Sequence, residues 1–494
     1  MQRVVILGGG TSGWMAANLL RRHLDAHRFD ITLVESPDIG TIGVGEGSTP
    51  HLKVFFDELN IPESQWMAAC NATYKNGISF VNWTSHLESN RYFHPFPSFT
   101  DRQTAAAFLT HCHLKFKGID APTNPDQYFL SSYLSQHHLS PKVAPGKTGA
   151  PLNYAYHFDS TLLGKYLQNI ACKEGVTHIS NKVQDVAQHP DGRIASLLFE
   201  DGGVVNGDWF VDASGFRSQL MQQTLQVGFE SFSDNLINDS AIALASHDIS
   251  PISSETTATA LNNGWAWRIP LTNRVGNGYV FSRAHCDFTQ AEAELRAHIG
   301  DDASGEDARH IHMKVGQVQE HWHKNTIALG LSQGFIEPLE ATALHLVLET
   351  LISFIANFKQ GECVDADRKA FNQHMSRRYQ GIRDYIVCHY KINTRSDTPY
   401  WQEVKRSVPI SDNLRAVIDA WDAGQDITPT LQAQEMDKYY PAVSWYCLLA
   451  GYGRFNKQTR APSAQAKHTL KQVQAYIAQS SAQFMSHATA LTHA

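Results

Sequence analysis

Short apolar runs, separated by glycine-rich turns and helical patterns, dominate the start of the chain. Residues 4–7 form a continuous apolar run, which is typical of a buried parallel strand, and residues 15–20 follow with the spacing of a helix. Residues 30–34 repeat the strand pattern. This alternation predicts an α/β fold that begins with a Rossmann-type strand–helix–strand unit.

The turn between the first strand and the first helix carries a G-x-G-x-x-G motif. Gly8 allows a tight turn, Gly10 lets the backbone approach a diphosphate, and Gly13 lets the helix pack on the strand. The helix N-terminus then faces the phosphates. Glu35 ends the second strand 22 residues after Gly13, where a carboxylate binds the ribose of a dinucleotide. The predicted nucleotide-binding residues are Gly8, Gly10, Thr11, Ser12, Gly13 and Glu35, and a glycine-rich turn without a ligand is the alternative.

Three further segments decide between FAD and a nicotinamide cofactor. Residues 41–50 form a second glycine-dense loop, with Gly43 and Gly45, whose backbone can approach a flat ring closely. An apolar run ends in Asp212 and small residues, as at a strand end that touches a ligand, and residues 327–335 form a similar segment. Several separate loops that converge on one elongated cofactor favour FAD. No second G-x-G-x-x-G occurs with a flanking strand and helix, so the sequence predicts no NADH site.

The segment Gly264–Pro270 places two tryptophans two residues apart, on one face of a strand. On its own this pattern indicates a packed aromatic pair in a sheet core. Beside the FAD signature it resembles the W-x-W-x-I-P motif of flavin-dependent halogenases, carried by Trp265, Trp267, Ile269 and Pro270. Residues 74–77, 154–159, 335–343 and 444–451 also resemble stretches of that family. The chain is similar to the tryptophan-halogenase branch, whose substrates are free rather than tethered to a carrier.

The resemblance implies a catalytic pair, a halide site and flavin contacts. Lys75 would hold hypohalous acid, and Glu340 would polarise it or accept the ring proton as a general base. The backbone amides of Thr342 and Ala343, at the start of an apolar helical run, would bind the halide. The residues implied at the cofactor are Gly45, Val183, Asp212, Leu331 and Leu344. A solvated lysine and a structural ion pair are the alternatives for Lys75 and Glu340.

The substrate end of the chain departs from the family pattern. The residues that resemble substrate contacts are His94, Phe96, Glu435, Tyr439 and Tyr440, with lid-packing aromatic side chains as the alternative. Glu435 matches a glutamate that grips the amino-acid backbone, but Thr428 and Pro429 stand where the family has two tyrosines. A buried ammonium and carboxylate would lack part of their clamp, which is costly. We therefore expect indole or an indole derivative to be a better substrate than free tryptophan.

The halide segment departs from the family at two positions. Ala341 replaces a serine and Ala343 replaces a glycine. The backbone amides survive both changes, but a glycine matters if the second position needs a positive φ. We expect bromide to be preferred to chloride.

Composition and charge exclude several classes of partner. The 494 residues carry 41 Lys+Arg against 48 Asp+Glu, a net charge of −7, which argues against nucleic acid or an anionic membrane. Seven scattered cysteines and no signal-peptide pattern predict a reduced, cytoplasmic chain without structural disulfides. We predict no metal site, because His111, Cys112 and His113 are consecutive and point to different faces.

The predicted architecture has two parts. Residues 1–340 are expected to form an FAD-binding module, similar to that of flavin monooxygenases, with an added sheet. Residues 341–494 are expected to form a mainly helical lobe over the substrate, joined by an irregular lid segment at about 84–150. Residues 464–494 predict an amphipathic helix with a frayed tail.

These features together predict an FADH2-dependent halogenase that uses O2 and chloride or bromide on a small aromatic substrate. A separate flavin reductase would supply the FADH2, and a homodimer is left open. An FAD-dependent aromatic monooxygenase is the main alternative. A catalytically degenerate flavoprotein is another, and Ala341 and Ala343 are its support.

Overall fold

The structure is a computed structural model that describes residues 1–38, 40, 45–85, 90–247, 250–300, 305–358, 364–455 and 463–494. Residues 41–44 of the predicted glycine loop, with Gly43, lie outside the described residues. The chain forms two units, each assembled from three segments. The first unit comprises Met1–Asn71, Phe158–Ser233 and Met313–Gln380, and the second comprises Ala72–His157, Asp234–His312 and Gly381–Ala494. Both units are discontinuous in sequence, whereas the patterning predicts one boundary after residue 340.

The strands and helices within the described residues have the following bounds. The strands are β1 (Gln2–Leu7), β2 (Phe29–Glu35), β3 (Glu46–Gly47), β4 (Thr73–Lys75), β5 (Gly77–Val81), β6 (Arg91–Pro95), β7 (Leu139–Val143), β8 (Ala155–Phe158), β9 (Thr177–Ser180), β10 (Val183–Gln188), β11 (Ile194–Phe199), β12 (Val204–Asn206), β13 (Trp209–Asp212), β14 (Phe229–Ser231), β15 (Ser240–Ser246), β16 (Thr256–Ala260), β17 (Gly264–Pro270), β18 (Val275–Phe281), β19 (Arg309–His312), β20 (Gly316–Val318), β21 (Trp322–His323), β22 (Thr326–Ala328), β23 (Gly334–Phe335) and β24 (Phe484–Ser486). The helices are α1 (Thr11–His23), α2 (His51–Glu58), α3 (Glu63–Trp66), α4 (Arg102–Phe116), α5 (Leu130–Gln136), α6 (Ser160–Lys173), α7 (Phe288–Ile299), α8 (Ala343–Asn357), α9 (Asp365–Ile392), α10 (Pro399–Arg406), α11 (Asp412–Asp422), α12 (Thr428–Ala433), α13 (Ala442–Gly451), α14 (Ala464–Ser481) and α15 (His487–Thr492).

The first unit is built on a sheet of order β21-β22-β13-β1-β2-β9. Strand β1 pairs in parallel with β2 and β13, and these strands are apolar runs because both faces of a parallel sheet are covered. Leu7 pairs with Val34 and with Asp212, so the C-terminal ends of all three strands lie at one edge. The predicted strands at 4–7, 30–34 and 209–212 and the helix after Gly10 are confirmed. Ligands of such open sheets bind at this edge.

The second unit is built on a sheet of order β19-β15-β18-β17-β16-β5-β6. Its strands pair antiparallel except for β16 and β5, which run parallel. The predicted tryptophan strand is confirmed as β17, with β16 and β18 on its two edges. The short strand β4 pairs antiparallel with β8.

The segment 84–150 differs from its prediction as an irregular lid. Its described part contains β6, α4, α5 and β7, because the buried face of α4 mixes Thr104, His111 and Cys112 with two phenylalanines and so hides the apolar period. His111 Nδ1 lies 2.5 Å from the Tyr128 hydroxyl, whereas His113 Nε2 lies 2.9 Å from the Tyr446 hydroxyl. The two histidines therefore have separate packing partners.

The prediction of a frayed C-terminal tail is wrong. Helix α14 ends at Ser481, and the chain then adds β24 antiparallel to β7 and ends in α15. A three-residue strand has too little local pattern to be recognised from sequence. None of the helices in the described ranges is long and apolar enough to cross a membrane.

Candidate functional site

The glycine-rich turn after β1 is shaped to approach a ligand. Gly8 has φ +123°, and a Cβ there would lie 2.2 Å from the Ala213 carbonyl oxygen. A Cβ on Gly13 would lie 1.9 Å from the Gly8 carbonyl oxygen, so only glycine lets α1 pack this closely. Gly10 has open space where a Cβ would be, and α1 has no side-chain cap. The backbone amides at the start of α1 have no side-chain cap, and the space at Gly10 is open. Both features fit the diphosphate of a dinucleotide.

Glu35 lies against the glycine turn at the end of β2. A Cβ on Gly9 would collide with the Glu35 carboxylate, which lies over the turn. His178 Nε2 lies 2.7 Å from Glu35 Oε1. The position of the carboxylate beside the turn fits a ribose contact.

Asp212 is completely buried and organises the loop after β13. Its carboxylate accepts hydrogen bonds from the Ser214 amide and hydroxyl, at 3.1 and 2.6 Å, and from the Leu220 and Met221 amides, at 2.9 and 2.8 Å. Burial raises the pKa of Asp212, and these donors oppose the rise. The carboxylate therefore shapes the loop at the ligand edge of the sheet.

Other predicted flavin residues of the first unit lie in turns or in the core. Leu331 follows Gly330, which has φ +61° and whose Cβ would lie 2.6 Å from Ser12 Oγ, so this turn contacts the start of α1. Gly45 has φ +98°. Val183 is buried in the core cluster that contains Leu7.

Sequence reasoning missed Glu46, which follows Gly45 in the described part of the second glycine loop. Burial raises the pKa of Glu46 to about 7, and a hydrogen bond from Ser160 opposes the rise. The glycines around this residue drew attention to the backbone of the loop, and only the folded structure shows that its acid is half-buried with a raised pKa.

The predicted halide segment forms a tight turn into α8. Glu340 is buried in a single helical turn, and Ala341 follows with φ +55°. Thr342 is buried and precedes the first helical residue, Ala343, without capping the helix with its side chain. The positive φ therefore falls on Ala341 and not on Ala343. Leu344, also buried, follows in the first turn of the helix.

A half-buried polar cluster, which sequence reasoning missed, includes His345 in the first turn of α8. The His51 and His345 rings stack at 3.5 Å between centroids, with 10° between their planes. Glu349 Oε1 lies 3.7 Å from His345 Nε2, and Glu349 Oε2 lies 2.8 Å from Arg378. Within the described part of the chain, His51, His345 and Glu349 bring three donor atoms within 4.8 Å of one another, close enough to hold a metal ion. We call His51, His345, Glu349 and Arg378 the histidine-stack cluster.

Burial, and next the neighbouring His345, lowers the pKa of His51 to about 4, and burial lowers the pKa of His345 as well. The pKa of Glu349 is lowered to about 2 by its contact with His345 and by the charge of Arg378. Both rings are therefore neutral and the carboxylate is ionised at pH 7. The cluster balances its charge through the Glu349–Arg378 pair.

In the second unit, Lys75 ends β4 and is completely buried. Its Nζ lies 5.7 Å from the centre of the Phe96 ring. Gly77 lets β5 lie close to the paired strand β6. A Cβ on Gly77 would lie 2.4 Å from the His94 carbonyl oxygen. Lys75 is therefore not a solvated surface lysine. Lys75 ends β4, His94 lies in β6, and Phe96 directly follows β6.

The tryptophan motif is linked to the lysine strand through Thr73. The Thr73 hydroxyl donates to the Pro270 carbonyl oxygen at 2.7 Å and accepts from His157 Nδ1 at 2.9 Å. His157 Nε2 lies 2.9 Å from the Thr256 hydroxyl. Burial lowers the pKa of His157 well below its usual value, and the charge of Lys75 adds to the effect. We call Thr73, Lys75, His157 and Thr256 the lysine cluster.

The two motif tryptophans are both buried on β17. Their ring centroids are 6.1 Å apart, and the Trp267 ring occupies the space over Gly278, where a Cβ would collide with it. Ile269 is also buried and precedes Pro270. The pair forms a rigid wall in the sheet of the second unit.

The predicted substrate aromatics meet at a residue that sequence reasoning missed. Tyr385, in α9, stacks on Tyr440 with 3.6 Å between ring centroids and 8° between planes. Its hydroxyl donates to the Ser444 carbonyl oxygen at 3.2 Å and lies 3.4 Å from His94 Nε2. Tyr439 packs on Gly381, where a Cβ would collide with its ring. No local pattern in the long helix α9 marks Tyr385 as a contact of Tyr440 and His94.

The residues at the predicted amino-acid clamp are Glu435, Thr428 and Pro429. Glu435 is exposed, has φ +56° and pairs with Lys438 at 2.6 Å. Thr428 and Pro429 form the first turn of α12. These side chains differ in reach and chemistry from a pair of tyrosines.

Comparison with known proteins gives a consistent family. The family model described as Tryptophan halogenase matches residues 3–468. The chain is 36% identical to the 7-chloro-L-tryptophan 6-halogenase KtzR of Kutzneria sp. (strain 744), over 93% of this chain and 92% of that protein. The crystal structure of the tryptophan 6-halogenase SttH of Streptomyces toxytricini superposes with a TM-score of 0.86 at 30% identity, covering 98% of each chain. Xcc4156, a flavin-dependent halogenase from Xanthomonas campestris, superposes with a TM-score of 0.86 at 32% identity, covering 100% of this chain and 98% of that one.

Proposed function

Because the chain belongs to the tryptophan halogenase family of flavin-dependent halogenases, we propose that it halogenates a free, electron-rich aromatic ring with FADH2, O2 and a halide. The complete burial of Lys75 beside Phe96 carries the proposal for the chemical step. An amine in such a place can hold hypohalous acid away from bulk water.

The glycine turn and the end of β2 would hold the FAD. Gly8, Gly10 and Gly13 give the diphosphate access to the amides of α1, and Glu35 would bind the ribose. The reduced flavin supplies, with O2, the oxidant that converts halide into hypohalous acid. We propose that a separate flavin reductase provides the FADH2, since the sequence carries one dinucleotide motif.

Lys75 would position the halogen donor and assist its departure. Its ammonium donates a hydrogen bond to the oxygen of hypohalous acid, which polarises the oxygen–halogen bond toward the ring. A carbon of the aromatic ring then attacks the halogen, and the hydroxide that leaves takes a proton from the ammonium. We propose Glu340 as the base that accepts the proton lost from the ring.

The amides of Thr342 and Ala343 would bind the halide at the start of α8. Ala341 and Ala343 put methyl groups where the family has a hydroxyl and a glycine hydrogen. We propose a preference for bromide, because the larger and less strongly hydrated anion loses less on entering an apolar-lined site. Equal concentrations of both halides test this, and a dominant chlorinated product would refute it.

We propose that His94, Phe96 and Tyr440 clamp the ring, and that Tyr385 supports Tyr440 from behind. KtzR and SttH are named as halogenases of tryptophan or chlorotryptophan, which favours an indole ring. The same names conflict with our expectation that indole is a better substrate than free tryptophan, and the residues at the clamp around Glu435 are the support for that expectation. A kcat/KM for tryptophan well above that for indole would refute this preference.

One assay tests the proposed activity as a whole. The protein is incubated with FAD, a generic flavin reductase, NADH, bromide and a panel of indoles, and the products are identified by mass spectrometry. A bromine isotope pattern is expected with bromide and no modified product is expected without halide. Hydroxylated product in halide-free buffer would instead establish a monooxygenase.

A further inference from the structure

The C-terminal end of the chain packs against the strand that carries Lys75. Strand β24 pairs with β7, and the His487 amide donates to the His138 carbonyl oxygen at 2.8 Å. His487 is buried, with 1% of its surface exposed. The family match ends at residue 468, so His487 lies beyond the part of the chain that defines the family.

Both ring nitrogens of His487 have backbone partners. The Tyr74 amide donates to His487 Nε2 at 3.2 Å, and His487 Nδ1 lies 3.1 Å from the Ile252 carbonyl oxygen. An amide can only donate and a carbonyl can only accept, so the ring is neutral with its proton on Nδ1. Burial lowers the pKa of His487 to about 4, so this arrangement persists at neutral pH.

The contact falls on the residue immediately before Lys75. Consecutive amides of a strand point to opposite edges, so Tyr74 and Asn76 direct theirs away from the partner strand β8. The Asn76 amide donates to the Ser254 carbonyl oxygen at 2.7 Å, and Asn76 Nδ2 donates to the Leu139 carbonyl oxygen at 3.1 Å. The backbone on both sides of Lys75 is thus held from this edge. On the N-terminal side of Lys75, the Tyr74 amide donates to the side chain of His487, and a substitution can remove this acceptor.

We propose that His487 is a positioning residue for Lys75, holding β4 in register by accepting the Tyr74 amide. This inference rests on the proposed function of Lys75 for its catalytic consequence. Without the acceptor, a buried amide loses its partner and β4 moves to recover one. A displacement of Lys75 by about 1 Å lowers the rate of halogen transfer and leaves flavin oxidation unchanged.

Two substitutions separate the two ring nitrogens. In H487Q the side-chain amide reaches the place of Nε2 and can accept from Tyr74, whereas in H487N it reaches the place of Nδ1 and can donate only to Ile252. For H487N we expect kcat for halogenated product to fall about tenfold, with KM for the aromatic substrate within about twofold. Hypohalous acid released into solution, measured with a chemical trap, rises in the same variant. For H487Q both quantities stay within about threefold of wild type.

A second measurement is independent of flavin and activity. Hydrogen exchange of the Tyr74 amide in the flavin-free protein is expected to accelerate about tenfold in H487N and to remain slow in H487Q. If H487N does not fold, H487M replaces it, since methionine keeps the volume and offers only a weak acceptor. Equal losses in both variants, or wild-type kcat and exchange in H487N, would overturn the inference. A wild-type protein that makes no halogenated product would refute the proposed function alone, and the exchange rates would still decide whether His487 holds β4.

Discussion

Each of the two units contains a polar cluster with at least one histidine, and the two clusters differ in their charged groups. In the histidine-stack cluster, Glu349 and Arg378 pair at 2.8 Å beside two neutral rings. In the lysine cluster, His157 is neutral and both its nitrogens face hydroxyl groups. The charge of Lys75 contributes to the lowered pKa of His157. The pairing of Glu349 with Arg378 is suited to a structural role. A completely buried lysine beside a neutral histidine is suited to a chemical role.

The same comparison bears on the metal-like donors of the histidine-stack cluster. Parallel rings 3.5 Å apart direct their nitrogen lone pairs in parallel planes, so they do not converge on one ion. Arg378 also holds the carboxylate that a metal would need. We therefore interpret the cluster as an internally paired bridge between α2 and α8.

Among the substitutions that test this comparison, replacing Lys75 with methionine is expected to have the largest effect. We expect the rate of halogenation to fall by about 1,000-fold, because the donor that holds hypohalous acid is lost while the side-chain volume is kept. Product formation by mass spectrometry and hypohalous acid by a chemical trap are measured together. Trapped hypohalous acid should persist in the variant.

Lys142→Met is the matched control. Lys142 Nζ lies 5.6 Å from the Tyr74 ring, in the same unit, and should matter less than about threefold. Equal losses in the two variants would mean that the burial of Lys75 has no special role.

Replacing Arg378 with glutamine tests the charge balance of the histidine-stack cluster. Glu349 would keep its charge without its partner, and we expect the free energy of unfolding to fall by about 2–3 kcal/mol. Chemical denaturation measures the change, while the rate per folded molecule should stay within about threefold. The double variant with Glu349→Gln removes both charges and should recover most of the loss. A single-variant loss that the double variant does not reduce would contradict this account.

The local elements of the fold could be predicted because their signals are local. The turn at Gly8–Gly13, the tryptophan strand β17 and the helix after Thr342 each appear within about a dozen residues of sequence. Their patterns are also the ones that carried the family resemblance. The motif around Lys75 singles out the lysine, but its complete burial at the end of β4 is visible only in the structure.

Contacts between distant parts of the chain could not be predicted. Tyr385 is defined by its stack on Tyr440 and by His94, which lies 291 residues away in sequence. His487 contacts Tyr74 across 413 residues. Such pairs leave no periodic trace in a single sequence, and β24 is too short to indicate its pairing. The contacts of His94 with Tyr385 and of His487 with Tyr74 can therefore be recognised only in the folded structure.

Acidification should weaken both units by the same mechanism. The pKa of His51 is lowered to about 4 and that of His487 to about 4, below the usual value of 6.5. Between pH 6.5 and 4 the unfolded chain binds protons that the folded chain excludes, so stability falls as pH falls; above pH 6.5 neither residue contributes. We expect H51Q and H487Q each to reduce the stability lost between pH 7 and pH 5 by about 1–2 kcal/mol, measured by denaturation at both pH values.

This prediction sharpens the comparison of the two units, since one histidine of each unit is expected to respond to pH in the same way. An unchanged loss in both variants would place the acid sensitivity elsewhere. A loss reduced in only one would show that the other ring already accepts a proton in the folded chain.

The smallest effect is expected at Ala341, which takes a left-handed conformation just before the halide segment. Its φ of +55° is costly for a residue with a Cβ, and glycine would relieve the strain. We expect A341G to raise the free energy of unfolding by about 0.5–1 kcal/mol, measured by urea denaturation. A343G is the matched control, because Ala343 is already helical and glycine there should lower stability by a similar amount. The opposite result, in which A343G stabilises the protein and A341G does not, would contradict this prediction. It would mean that the backbone strain lies at residue 343, where the family has its glycine.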